Sequence, residues 1–541
     1  MAPHHLATAA GLEVLRAGGH AVDAAIATNA VLAVVAPNAC GIGGDAFWLI
    51  WDEASGEQVA LNGSGRAPRA TDAAALRTRG LLQVPVRGGP SITVPGAVRS
   101  WGDAHRRFGR LSRDAILGPA IELARGGFAA WPEFIAAVER TAPDVATALG
   151  PEAAFFAVYR PHGRPWRLGE RVRLPALAAT LERLAADGFD AFYRGDLADL
   201  QARALAAVGS AIDARDLDDH RSTWTEPIAT TYRGVRVTTH PPNSSGLVAL
   251  EILNILERFE PPPAAAFGAR GAGDARWVHL GIEASKLAMA DRDTWLGDPD
   301  HVKVPVDRLL SADHAVGLAA RIDPSRAAHP PGATNPPGGG TIYLATVDGA
   351  GNAVSLIESN WRGFGSGVVD PETGIHYHNR GNFFSLQEGH PNALTPSRRP
   401  LHTLLPGMLF RDADESGRKS RPWVVLGSMG GDAQPQIHAQ MVSAFVDGGV
   451  DVATATGAPR WFVEPAELFA PPVDVRIEPR FPPDVLARLG AMGHPVHAIG
   501  AFDGAVGHAH AIELIDGGPV AEEGSLAAAT DPRSAGLPAA W

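Results

Sequence analysis

Residues 341–374 read TIYLATVDGAGNAVSLIESNWRGFGSGVVDPETG, and the segment before them, 329–340, reads HPPGATNPPGGG. The β-branched runs Ile342–Val347 and Ala353–Ile357, separated by a turn that holds Gly351 and Asn352, predict two strands of one hairpin. Prolines in the preceding segment forbid a regular ladder, and its three glycines permit backbone angles closed to other residues, so 329–340 reads as a loop or linker. Taken alone, Thr341 is an ordinary strand opener, because β-branched residues favour strands.

Outward from the hairpin the chain mixes both element types. Ala- and Leu-rich stretches with helical spacing lie at 21–35, 114–125 and 174–186, and short β-branched runs at 47–51, 235–239 and 423–426 predict further strands. With 541 residues, 45% of them hydrophobic and 20% charged, the chain buries a large core in one or two globular domains. Its 47 Lys+Arg against 59 Asp+Glu give a net charge of -12, which argues against a nucleic-acid partner. A small anionic substrate therefore needs a locally basic pocket. Cys40 is the only cysteine, so neither an intramolecular disulfide nor a multi-cysteine metal site forms. The opening MAPHHLATAAGLEVLRAGG has no secretory pattern, and no apolar run reaches the ~18 residues of a membrane span, so a cytoplasmic enzyme without a membrane partner is expected. The pairs His376/His378 and His508/His510 each place two imidazoles on one strand face. No carboxylate or cysteine cluster accompanies them, so neither a metal site nor a cofactor is expected.

Further motifs follow in a fixed order: GGHAVDAA at 18–25, GIGGDAF at 41–47, VPGAV at 94–98, RFGRL at 107–111, FYRG at 192–195, PPNSSG at 241–246, ADR at 290–292, GSMGG at 427–431 and DPR at 531–533. Each alone is weak, but together with 341–374 they span nearly the whole chain, which resembles the gamma-glutamyltransferase family. The resemblance implies an α+β fold, the four-layer αββα sandwich of the N-terminal-nucleophile hydrolases. In it, a large-subunit segment 1–340 and a small-subunit segment 341–541 build one globular unit. It also implies that the Gly340–Thr341 peptide is cut by the chain itself and that Thr341 becomes the nucleophile. A threonine hydroxyl is weak at its free pKa and needs a base; the α-amine freed by the cut, titrating near about 8, is that base. Ser359 falls where the family carries a hydroxyl bonded to the nucleophile, and Gly430 and Gly431 match its oxyanion-binding pair. Asp23, on an Ala-rich helix, is expected at the surface or as a cap. The two fragments would stay together as a heterodimer, open to further dimerisation.

The substrate positions depart from the glutathione-cleaving members. The family's carboxylate-binding arginine aligns with Ser64, and Arg66 stands two residues on. Arg380 replaces a Gln, Phe383 replaces the acid that holds the α-amino group, Trp361 replaces an Asn, and His402-Thr403 replace a Ser pair. A buried ammonium without its carboxylate costs several kcal/mol. Arg66, Arg380, His402 and Thr403, with His378, instead suit a carboxylate that has no amine beside it. The segments SGRAP, HNRG, RPLHT and MGGDAQPQ are similar to those of the branch that includes oxamate amidohydrolases and acylases. The expected activity is hydrolysis, or transfer, of a small carboxylate-bearing acyl group from a small-molecule amide through an acyl-enzyme. A gamma-glutamyltransferase or glutathione hydrolase with rearranged anchors is the first alternative, and an uncut, non-catalytic binding homologue the second. The sequence begins just where the family usually has a short strand before the first helix, so the expectation is either a late recorded start or a missing strand.

Overall fold

The computed structural model describes residues 1–328, 340–411, 420–465, 472–515 and 524–540. The linker 329–340 lies outside these except for Gly340. Two antiparallel sheets form the centre. The first has five strands in the order Thr223–Thr225, Glu57–Gly63, Asp45–Asp52, Ala353–Trp361, Gly340–Val347, and the second has six in the order Ser525–Thr530, Ala509–Ile515, Arg421–Ser428, Gly407–Arg411, Val235–Thr239, Ile228–Tyr232.

Alternation along the strands builds the layers. Phe47, Leu49 and Trp51 face inward and meet Tyr343, Ala345, Met408, Phe410, Val425 and Ile512 between the sheets. Their neighbours Trp48 and Ile50 face the other way, with Ile342, Leu344 and Leu356, into a core shared with the Ala21–Val35 helix. On the far side, Val237, Leu409 and Val424 pack beneath the helices Gly246–Leu256 and Gln434–Val446. The result is helix, sheet, sheet, helix, the expected αββα order. Emptying the space of a fully buried ring such as Trp48 costs about 3–5 kcal/mol.

Every residue of the Ala21–Val35 helix is buried, which explains a composition apolar on all sides. His20 and Asp23 form its capping box. Asp23 is therefore a cap, but not at the surface: it is fully buried, and its Oδ2 also accepts from the backbone N–H of Arg110 at 2.8 Å. The hairpin turn closes as expected, with Gly351 at φ 93° and Asn352 Nδ2 donating to Asp348 Oδ2 at 2.8 Å. At the chain start Met1 N donates to Ala345 O at 2.9 Å and Ala345 N to Met1 O at 3.2 Å, on the outer edge of the Gly340–Val347 strand. No helix among the described residues is long and apolar enough to cross a membrane.

Candidate active site

The Gly340–Thr341 peptide lies at the start of an inner strand pair whose register slips at that point. Gly340 pairs with Trp361 and Thr341 with Ser359, leaving Asn360 as an extra residue. Such a bulge re-aims side chains and breaks the ladder locally. A β-carbon on residue 340 would stand 2.7 Å from Asn38 O, so only glycine fits there. Opposite, Trp361 holds φ at 73°, a left-handed conformation that a non-glycine residue keeps only under tertiary constraint.

Ser359 Oγ is the hub of this corner. It donates to Gly340 O at 2.6 Å, receives the Thr341 hydroxyl at 3.0 Å, and is also approached by Trp361 N–H at 2.7 Å and Arg380 Nη2 at 3.1 Å. Thr341 and Ser359 are both buried. One hydroxyl thus donates to the carbonyl of the Gly340–Thr341 peptide while accepting a hydrogen bond from the Thr341 hydroxyl.

Gly430 and Gly431 form the turn between the Arg421–Ser428 strand and the Gln434–Val446 helix, at φ 144° and 56°. The Cβ position of Gly431 opens toward the Trp361 ring, 3.8 Å away, which brings the turn to the corner of Thr341, Ser359 and Trp361. Gln434, with its amide oriented to serve both acceptors, donates to Thr403 O at 2.9 Å and Ser428 O at 3.3 Å, tying the turn to the 401–403 segment.

The cationic side is assembled from distant segments. Arg380, fully buried in a short 3-10 turn, lies over the Trp361 ring at 4.4 Å and makes a long contact of 3.4 Å to Thr403 Oγ1. No carboxylate among the described residues forms an ion pair with it, and its Nε has no partner. Burial pushes the guanidinium down to about 9, against the pull of Asp45 and Asp432, so it stays charged at neutral pH. His402 Nε2 stands 3.2 Å and His378 Nδ1 3.7 Å from Asp45 Oδ2. Burial drives His402 down to about 3, with Arg380 adding to the shift and Asp45 opposing it. Burial lowers His378 as well. Both imidazoles are therefore neutral. Phe383 packs edge-on against Trp361 at 4.9 Å and gives this side an apolar wall.

Of the residues singled out in the sequence, Arg66 is not brought to this group. Its guanidinium is bonded to Asp300 at 2.9 Å, beside Arg399, which lies 3.5 Å from the same carboxylate. Ser64 is held by Asn62 and Asn243, and its carbonyl accepts from Arg399 Nε at 3.1 Å. Two acids escaped the sequence reading. Asp45 Oδ1 accepts from Gly65 N and Gly96 N at 3.0 and 3.1 Å, and although burial would raise its carboxyl, the charge that His378 and His402 take up in acid, together with Arg380, lowers it to about 2. Glu358, beside Ser359 on the opposite strand face, accepts from Gly41 N at 2.9 Å, and burial pushes it up to about 8. The available signal was an acid inside an apolar strand, since such residues are seldom buried without a partner.

Among the described residues, two trios have ion-binding spacing: His279, Glu283 and His494, and Glu251, Asp291 and His314. In the first, Lys286 already binds Glu283 at 2.7 Å, and in the second His314 Nε2 lies 2.7 Å from Asp291. Neither includes His376, His378, His508 or His510. His376 and His378 each turn a ring nitrogen to a backbone carbonyl, of Phe364 and Thr93.

The sequence profile of gamma-glutamyltranspeptidase matches residues 7–541. The oxamate amidohydrolase proenzyme of Klebsiella pneumoniae is 38% identical over 552 residues, covering 100% of this chain and 98% of its own length. A glutathione hydrolase-like proenzyme of Bacillus subtilis is 36% identical over 542 residues, covering 99% and 97%. The crystal structure of cephalosporin acylase from Bacillus halodurans superposes with a TM-score of 0.89 at 39% identity, covering 100% of this chain and 95% of that one. The chain belongs to the gamma-glutamyltranspeptidase family and, like these relatives, is an autoprocessing hydrolase of amide bonds.

Proposed function

We propose that Thr341 cuts its own chain and then hydrolyses amides of short dicarboxylic acids, with Arg380 holding the free carboxylate. In the first step Thr341 Oγ1 attacks the Gly340 carbonyl carbon, the C–N bond breaks, and an ester joins Gly340 to the threonine oxygen. Water then releases the Gly340 carboxylate and frees the α-amine. Segments 1–340 and 341–541 remain as a heterodimer, held by the strand pairing of Asp45–Asp52 with Ala353–Trp361. In the second step the α-amine takes the hydroxyl proton as Oγ1 attacks the substrate carbonyl, and it passes that proton to the leaving amine. Backbone N–H groups of the Gly430–Gly431 turn face the oxyanion. Water hydrolyses the acyl-enzyme.

The observation that carries this reading is a buried guanidinium, beside Thr341, that bonds hydroxyls and, among the described residues, no acid. A charge so placed costs several kcal/mol unless an anion joins it. Since both bonds end on Ser359 Oγ, Thr341 Oγ1 and Arg380 Nη2 stand at most about 6 Å apart. A carboxylate attached directly to the reacting carbonyl, or one methylene away, spans that gap with about 3 Å at the attacking end and about 2.8 Å at the guanidinium. A glutaryl chain overshoots it unless folded, and the Phe383 ring supplies no carboxylate to an α-ammonium. Oxamate, malonamate, glutaramate and glutathione, compared by kcat/KM on the cut protein, test this. The first two should lead; a clear preference for glutathione would overturn the assignment of Arg380.

A further inference from the structure

The ADR motif at 290–292 has no part in the reaction as drawn, yet its arginine reaches the catalytic turn. Arg292 lies near the end of the long Ala275–Trp295 helix and is 2% exposed. Its Nη1 donates to Asp432 Oδ1 at 2.7 Å and its Nε to Asp293 Oδ1 at 2.8 Å. Asp432 follows Gly430–Gly431 directly and belongs to the same 3-10 turn. Its backbone carbonyl takes a weaker bond of 3.4 Å from Gln436 Nε2, whose amide also bonds Val463 O at 2.9 Å.

Two consecutive glycines at positive φ have many accessible conformations, so an oxyanion turn made of them needs an external tie to hold one geometry. We infer that Arg292 is the positioning residue of the Gly430–Gly431 turn, acting through Asp432 and braced by Asp293. The tie crosses the cut: Arg292 belongs to segment 1–340 and the turn to 341–541, so the large segment sets the donor geometry of the small one. A planar guanidinium bonded at two nitrogens to two carboxylates has its direction fixed, which a single ammonium does not. The inference rests on reading Gly430–Gly431 as the oxyanion donors.

The experiment measures kcat and KM of the cut enzyme for oxamate or malonamate in Arg292→Gln, Arg292→Lys, Asp432→Asn, the double variant Arg292→Gln/Asp432→Asn, and Gly431→Ala, each with a melting curve. Loss of one oxyanion donor costs about 10²–10³ in kcat, so misplacing the pair through Arg292→Gln should cost about 10–100-fold while KM moves less than about threefold. The double variant should be no slower than the slower single one, because both cut the same tie. If Arg292→Gln is left uncut, Arg292→Lys supplies the kcat, expected between wild type and the Gln variant. Additive losses in the double variant, or an unchanged kcat in Arg292→Gln and Arg292→Lys, would overturn the inference. An unchanged kcat in Gly431→Ala removes the oxyanion reading itself; a slow Gly431→Ala beside a normal Arg292→Gln removes only the role of Arg292.

Discussion

The hydroxyl side of the site and its cationic side meet at one atom, Ser359 Oγ, but they are built in opposite ways. On the hydroxyl side Thr341 and Ser359 sit on adjacent strands of a single hairpin, and the ladder itself places one against the other. On the cationic side Arg380, Thr403, His402 and Asp45 come from a 3-10 turn, a loop and a strand of the other segment. Local geometry fixes the first. The second depends on the whole fold closing around a charge that no acid among the described residues pairs, an arrangement that is costly to fold. On the proposed reading, chemistry and selectivity occupy separable halves of one small volume.

The largest effect should come from breaking the hydroxyl side. Thr341→Ala removes the attacking oxygen, so denaturing electrophoresis should show one uncut chain and no turnover, where the wild type gives two fragments with the smaller beginning at Thr341. The wild-type pair of fragments, with the smaller beginning at Thr341, is itself an expected outcome of the proposed cut, and cutting that persists in Thr341→Ala would mean another group opens the chain. On the cationic side, Arg380→Met should leave the cut intact and lower kcat/KM for malonamate by about 2–5 kcal/mol, the range for removing one partner of a buried charged contact. Arg380→Lys should recover only part, because one ammonium cannot span Ser359, Thr403 and a carboxylate as a guanidinium does. If Arg380→Met blocks cutting as severely as Thr341→Ala, the two sides are not separable, and Arg380 serves the Ser359 hydroxyl more than the substrate.

The unequal construction also explains what was legible in the sequence. A hairpin is local, so its strands, its Gly351–Asn352 turn and the threonine at its head were readable from 341–374, and the resemblance supplied the layers. Arg380, His402 and Thr403 were found as departures from a family pattern, and all three do gather around Asp45 and Ser359. Arg66 was placed with them because it is basic and near the right position, but sequence distance carries no information about which acid a flexible side chain will meet, and Asp300 took it. Asp45 stands within GIGGDAF, and nothing in that stretch assigns it a role. Its function depends on Gly65, Gly96, His378 and His402, none of them near it in the chain. The bulge at Asn360 was invisible for a similar reason: a register slip belongs to a pair of strands, and neither strand alone announces it.

The smallest effect tests whether the cationic side carries one charge or two. His402 holds about 3 in the folded protein against an ordinary 6.5. As pH falls below about 6.5 the unfolded chain takes up a proton at this position, whereas the folded one refuses it until about 3, so stability is lost across that interval by up to about 1.4 kcal/mol per pH unit. Above pH 6.5 both states are neutral there and the group contributes no slope. Other buried histidines act with the same sign, His376 at about 4 and His438 at about 3, so the readout must be a difference. Urea unfolding of the uncut Thr341→Ala chain at pH 7, 5.5 and 4.5, with and without His402→Gln, provides it. The Gln variant should lose less stability on acidification, by the equivalent of one proton. Equal slopes would mean that His402 is already protonated in the fold and paired with Asp45; the pocket would then present two cations, and its preferred acyl group would carry more than one negative charge.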